Sequence, residues 1–196
     1  MSVVILLVSC SSSGTKKILI MSKGKATVNK EAKTINVESG TSHEEQTVEF
    51  PGGDPLTLQV TTSSNKFSAD IPQTGYYLLN AKTDTIIGSY QNYGAPASET
   101  KVISQDDLKH RLDSLQQLLA GHVSNPKTTF YILPGQAVKI TDNPNAILVG
   151  PFNSMTTLEQ TGDKAPEVYK FYTSKDVRET FERVQKMTIA PPSPNQ

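Results

Sequence analysis

The chain has 196 residues, 19 Lys plus Arg balancing 19 Asp plus Glu, and a sequence pI near 6.8. This balance excludes the strong field that recruits nucleic acid or an anionic membrane surface. An apolar content of 36% with mean hydropathy −0.37 gives enough material for a core, and polar turn residues without Trp favour short strands over a helical bundle.

The first element is an apolar run at residues 3–8, far shorter than the ~20 residues of a membrane-spanning helix. It ends in Leu7-Val8-Ser9-Cys10, and Cys10 is the single cysteine of the chain. The four residues, followed by Ser11-Ser12-Ser13-Gly14, resemble the lipobox of bacterial lipoproteins. The resemblance implies cleavage between Ser9 and Cys10, a diacylglyceryl thioether on Cys10 and acylation of its new amine. Residues 1–9 then form a short or truncated signal peptide, since no basic residue precedes Cys10. Residues 10–23 form the lipidated cysteine and a flexible tether. The other reading of the same residues is a buried strand at 3–8 with Cys10 an inert core thiol.

Residues 24–93 read as a β-rich domain. The stretch "KATVNKEAKTINVESG" alternates around the polar break 29–33, a hairpin signature. Strands follow at "QTVEF", "LTLQVTT", "KFSADI", "YYLLNA" and "TIIGSY", with turns at Pro51-Gly52-Gly53-Asp54-Pro55, Pro72-Gln73-Thr74-Gly75 and Lys82-Thr83-Asp84. This spacing predicts an antiparallel, sandwich-like sheet. The stretch "FSADIPQTGYYLLNA" loosely resembles the last hairpin of β-sandwich modules in exported bacterial proteins.

After a connector at 91–99, Ser104 caps a predicted helix to residue 120, with Asp106 and Asp107 in its first turn and Gly121 as its stop. Leu108, Leu112, Leu115 and Leu119 form its apolar stripe, expected to pack on a sheet of the same chain. Strands at "TTFYIL", "QAVKIT", "AILVG" and "EVYKFY" and a Ser174-capped helix with Val177, Phe181 and Val184 on its buried face complete an α+β region at 94–188. That region packs on residues 24–93 or is one domain with them. Residues 189–196 read as a disordered tail.

Chemistry-bearing patterns are sparse. His110 has Asp106 one turn before and Asp113 three residues after, the placement of a metal or general-base site and equally of a solvated helix face. The second reading leaves no metal, no cofactor and no catalytic residue assigned. His43 falls in the polar turn "GTSHEEQ" and His122 just past a helix end. There is no HExxH, phosphate-cradling glycine loop, G-x-S-x-G elbow or calcium loop. Tyr90, Asn92 and Tyr93 in "GSYQNYG" are a candidate contact surface for an envelope protein or a polysaccharide, or else Tyr90 ends a strand with its ring in the core.

The sequence therefore points to an envelope lipoprotein with a non-catalytic structural or binding domain. The alternative is a tethered hydrolase with a dispersed active site. Ser11 stands where the inner-membrane retention aspartate of enteric lipoproteins would be, favouring the outer membrane. Lys16 and Lys17 replace the acidic stretch that exports some surface lipoproteins, favouring the periplasmic face.

Overall fold

The computed structural model describes residues 14–91, 105–123, 125, 127–151 and 166–189. The first strands are β1 (Thr15–Lys23), β2 (Ala26–Asn29), β3 (Thr34–Val37), β4 (His43–Pro51), β5 (Leu56–Thr61) and β6 (Lys66–Ile71). They are followed by β7 (Gly75–Asn80), β8 (Ile86–Gln91) and helix α1 (Gln105–Leu119). The rest is β9 (Thr129–Ile132), β10 (Ala137–Thr141), β11 (Ile147–Val149), β12 (Val168–Thr173) and α2 (Ser174–Ile189). The fold is α+β and strand-rich.

The strands form three four-stranded sheets: β10-β7-β1-β4, β2-β3-β5-β6 and β11-β12-β8-β9. Alternating side chains of the first sheet settle how the three are layered. Ile18, Ile20, Tyr77 and Leu79 join a core with Ile35, Leu58, Val60 and Ile71 of β2-β3-β5-β6. Their neighbours Leu19, Met21, Tyr76 and Leu78 join a second core with Ile86, Phe130, Ile132 and Phe171 of β11-β12-β8-β9. The sheet carrying β1 and β7 is thus the middle layer, covered on both faces.

This placement overturns the expected tether over residues 15–23, while residues 10–13 lie outside the described residues. Residues 15–23 are the strand β1, paired antiparallel with β4 and parallel with β7. Its run Ile18-Leu19-Ile20-Met21 lacks alternation because both faces are buried, and the flanking lysines disguise it as linker. Lys16 is itself 1% exposed, with its Nζ donating to Gly52 O at 2.7 Å.

The division at residue 93 also runs through shared sheets, because β10 pairs with β7, and β9 and β12 pair with β8. Nor are the sheets purely antiparallel: β1 with β7, β3 with β5 and β11 with β12 are parallel pairs. Each parallel pair joins strands separated by an intervening excursion of the chain, a topology that turn signals alone do not encode.

Asn80, fully buried at the end of β7, ties the layers together. Its Nδ2 donates to Asp84 O (2.8 Å) and Ile132 O (3.0 Å), and its Oδ1 accepts from the Lys82 amide (3.1 Å).

The helices lie beyond the outer face of β12 and β8. A reciprocal capping box starts α2: Thr173 N and Oγ1 donate to Asp176 Oδ2 at 2.9 and 2.7 Å, and the Asp176 amide donates back to Thr173 Oγ1. The cap is therefore Thr173, one residue before the expected Ser174. At the end of α1, Gly121 (φ 82°) donates to Leu118 O and His122 to Gln117 O, a Schellman closure. The expected cap Ser104 lies outside the described residues, as do residues 190–196 of the expected tail.

Packing of α1 differs from expectation. Leu108, Leu112, Leu115 and Leu119 are only half-buried, and the helix packs on α2. Val177 and Val184 of α2 are buried, so α2 holds the sheet side and α1 rides outside it.

Candidate functional site

Of the expected contact surface, Tyr90 is described, whereas Asn92 and Tyr93 lie outside the described residues. Tyr90 sits near the end of β8, opposite Tyr169 of β12, on the face turned toward the middle sheet. The two rings meet edge to face with centroids 5.5 Å apart, and Tyr169 repeats the contact with Phe130 at 5.8 Å. Tyr90 keeps 39% of its surface exposed. It is the wet rim of an aromatic stack whose inner members are core.

Beside this rim lies a polar cluster that the sequence reading missed. Glu167 Oε1 accepts from Thr141 Oγ1 and from the Tyr169 hydroxyl, both at 2.6 Å, and its Oε2 accepts from Asn143 Nδ2 at 2.9 Å. Burial pushes the Glu167 carboxyl upward, but these bonds outweigh it and hold the group below its usual value. Burial and the bond to Glu167 push the Tyr169 hydroxyl up to about 12. The carboxylate is thus fixed as an acceptor and the phenol as a donor. Such a saturated cluster locks the turn after β10 to β12. The signal was available, since Glu167 and Tyr169 stand two apart on one strand face.

A cavity of about 450 Å³ lies between α1, α2 and the outer face of β8 and β12. Ile87, Leu115, Leu118 and Val177 give it apolar walls, and Arg111 and Asp176 bring opposite charges. Asp176 is already engaged in the cap of α2.

Asp106, His110 and Asp113 are all exposed on α1, and Asp106 faces Lys109 at 4.0 Å. Among the described residues no three His, Cys, Asp or Glu side chains gather as a metal site. His43 is corrected from a turn to the first residue of β4, where its Nε2 lies 2.7 Å from Glu45 Oε1. Cys10 lies outside the described residues.

The end of the domain where β1 starts holds a second, polar recess of about 410 Å³, lined by Thr15, Lys17, Glu49, Thr74, Asp142 and Asn145 among others. Lys17 donates to Pro144 O at 3.0 Å with its ammonium 4.6 Å above the Tyr76 ring. Burial, with Glu49 and Glu45 nearby, pushes the Tyr76 hydroxyl upward against a bond from Thr47.

No protein-family model matches this chain, and no curated protein or solved structure matches it. No helix among the described residues is long and apolar enough to cross a membrane.

Proposed function

We propose that the chain is an envelope lipoprotein, anchored through acylated Cys10, that carries a non-catalytic structural or binding domain. The observation that carries this reading is Leu7-Val8-Ser9-Cys10 with its small residue before the only thiol. The thiol is the one side chain nucleophilic enough to take a diacylglyceryl group, and the serines after it suit a solvated exit from the bilayer. The outer membrane is the proposed location, on its periplasmic face, with an envelope protein or a polysaccharide as partner at the Tyr90 rim.

The non-catalytic reading draws support from what the polar groups already do. Glu167 is saturated by three donors, Asp176 caps a helix, and His110 stands exposed away from the cavity lining. The test is the intact mass of the protein extracted from membranes after expression from its full native gene. A mass matching cleavage before Cys10 plus acylation is expected, with Cys10→Ser moving the protein to the soluble fraction. An unprocessed mass, or unchanged membrane association of Cys10→Ser, would overturn the anchor.

A further inference from the structure

The strand β1 starts at Thr15, five residue steps after Cys10, and is embedded in the middle sheet. Five extended steps span at most about 18 Å. An anchor on Cys10 is therefore short compared with the domain, because β1 alone runs about 26 Å from Thr15 to Lys23.

Which surface lies at the Thr15 end follows from the strand register. Thr15 pairs with Pro51, Lys16 with Gly75, and Tyr76 with Thr141. The turns at 52–55, 72–74 and 142–146 therefore gather there, and Thr74, Asp142 and Asn145 share the recess with Thr15. At the other end, Thr62, Ser64 and Asn65 meet Lys82, Pro134 and Gly135 around a separate recess.

The electrostatics of the Thr15 end are equally specific. Lys16 is buried on Gly52 O, Lys17 is held by Pro144 O and Tyr76, and Lys139 pairs with Asp142. Glu49, Asp54 and Glu167 add further carboxylates at this end. The β2–β3 turn at the same end adds exposed Lys30 and Lys33 with Glu31 between them, so the lysines here are matched in number by acids and form no net basic patch for anionic headgroups.

Resting on the lipoprotein reading, we infer that the domain stands end-on to the bilayer. The turns at 52–55, 72–74 and 142–146 face a lipid surface, the turns around Ser64 and Pro134 point away, and headgroup charge adds nothing to the attachment. This geometry leaves the long sides of the sheets open to partners in the aqueous space and puts the Tyr90 rim, beside Tyr169 and Glu167, near the bilayer-facing end.

The test uses the full chain, lipidated in its host and reconstituted in phosphatidylcholine vesicles. Flotation is read first: failure of the wild type to float removes the anchor and the inference with it. Asn145→Cys and Ser64→Cys are then labelled with an environment-sensitive fluorophore and quenched by lipids carrying a nitroxide headgroup. With the two ends separated by about 26 Å along the strands, quenching at position 145 is expected to exceed that at 64 about threefold. Equal or reversed quenching in protein that floats overturns the end-on arrangement while leaving the anchor standing. For the unacylated Cys10→Ser chain, whose binding the lipid anchor does not saturate, replacing about a third of the lipid with phosphatidylglycerol, or raising salt, is expected to change the bound fraction less than twofold. A rise of about fivefold or more, abolished by salt, overturns the neutral contact.

Discussion

Gly88 of β8 lies directly against the ring of Phe171 on β12, so close that a β-carbon on Gly88 would sit 2.1 Å from Phe171 Cδ1. Phe171 is fully buried among Leu19, Leu78, Ile86 and Ile132, so the ring has no open side to move into. The glycine here is demanded by packing rather than by backbone conformation.

Gly88→Ala should therefore destabilise the fold by about 3 kcal/mol, near the upper end of overpacking costs. Gly52→Ala makes the contrast, because Gly52 has φ 96° but open space around it. Its cost should be only about 1–2 kcal/mol, from backbone strain alone. Chemical denaturation of both variants checks the order, and a Gly88→Ala cost at or below that of Gly52→Ala would overturn the packing argument.

The middle position of β1 predicts a sharp truncation boundary. Removing residues 1–13 should leave the melting transition of the remaining chain intact, because the ladder starts at Thr15. Removing residues 1–23 should abolish cooperative unfolding. It takes away Ile18, Leu19, Ile20 and Met21, whose burial contributes roughly 1.5–3 kcal/mol each, and leaves β4 and β7 without the strand between them. A folded, cooperative 24–196 fragment would show that the residues act as a tether after all.

Much of the architecture was legible because turn chemistry and two-residue alternation are local. The hairpin of β2 and β3 around residues 29–33, the strands β5 to β8 and the turns at Pro134-Gly135 and 142–145 fall where those signals put them, and β4 does so apart from its start at His43. What local pattern could not carry was pairing between distant strands. The apolar block of β1 has no alternation to read, and nothing near residue 93 announces that β7 and β8 each take partners from the second half. At the site level, Tyr90 was visible as an aromatic in a polar stretch. The Glu167 cluster was only half visible, because Tyr169 stands two residues away on the same strand face while Thr141 and Asn143 come from more than twenty residues earlier in the chain.

The leucine stripe of α1 gives a quantitative prediction that follows from the corrected packing. A fully buried leucine would cost about 2–5 kcal/mol on truncation to Ala. Leu112 is half-buried and its helix packs on α2, so Leu112→Ala should cost about 1 kcal/mol. Amide exchange should also find α1 opening more readily than β1 and β7. Protection in α1 equal to that of β1 would show that the helix is part of the global cooperative unit.

The last prediction concerns acid. The folded protein holds the Glu167 carboxyl below its ordinary value, through bonds from Thr141, Tyr169 and Asn143 that outweigh the opposing effect of burial. A depressed carboxyl contributes stability above the unfolded pKa of ~4.3, and loses that contribution as pH falls through the lower folded value. Glu167→Gln removes the charge and turns one acceptor into a donor facing other donors. It should cost about 1–3 kcal/mol at neutral pH, the range for a charge-assisted hydrogen bond left unmade. As the wild-type carboxyl protonates, its advantage over Gln should shrink, so the two stability curves converge on the acid side of ~4.3. Tyr169→Phe should show part of the same convergence, because its hydroxyl is one of the three donors. Denaturant titrations from neutral to acidic pH measure both gaps. A Glu167→Gln gap that stays constant with pH would show that the charge on this carboxylate is not what the three donors stabilise.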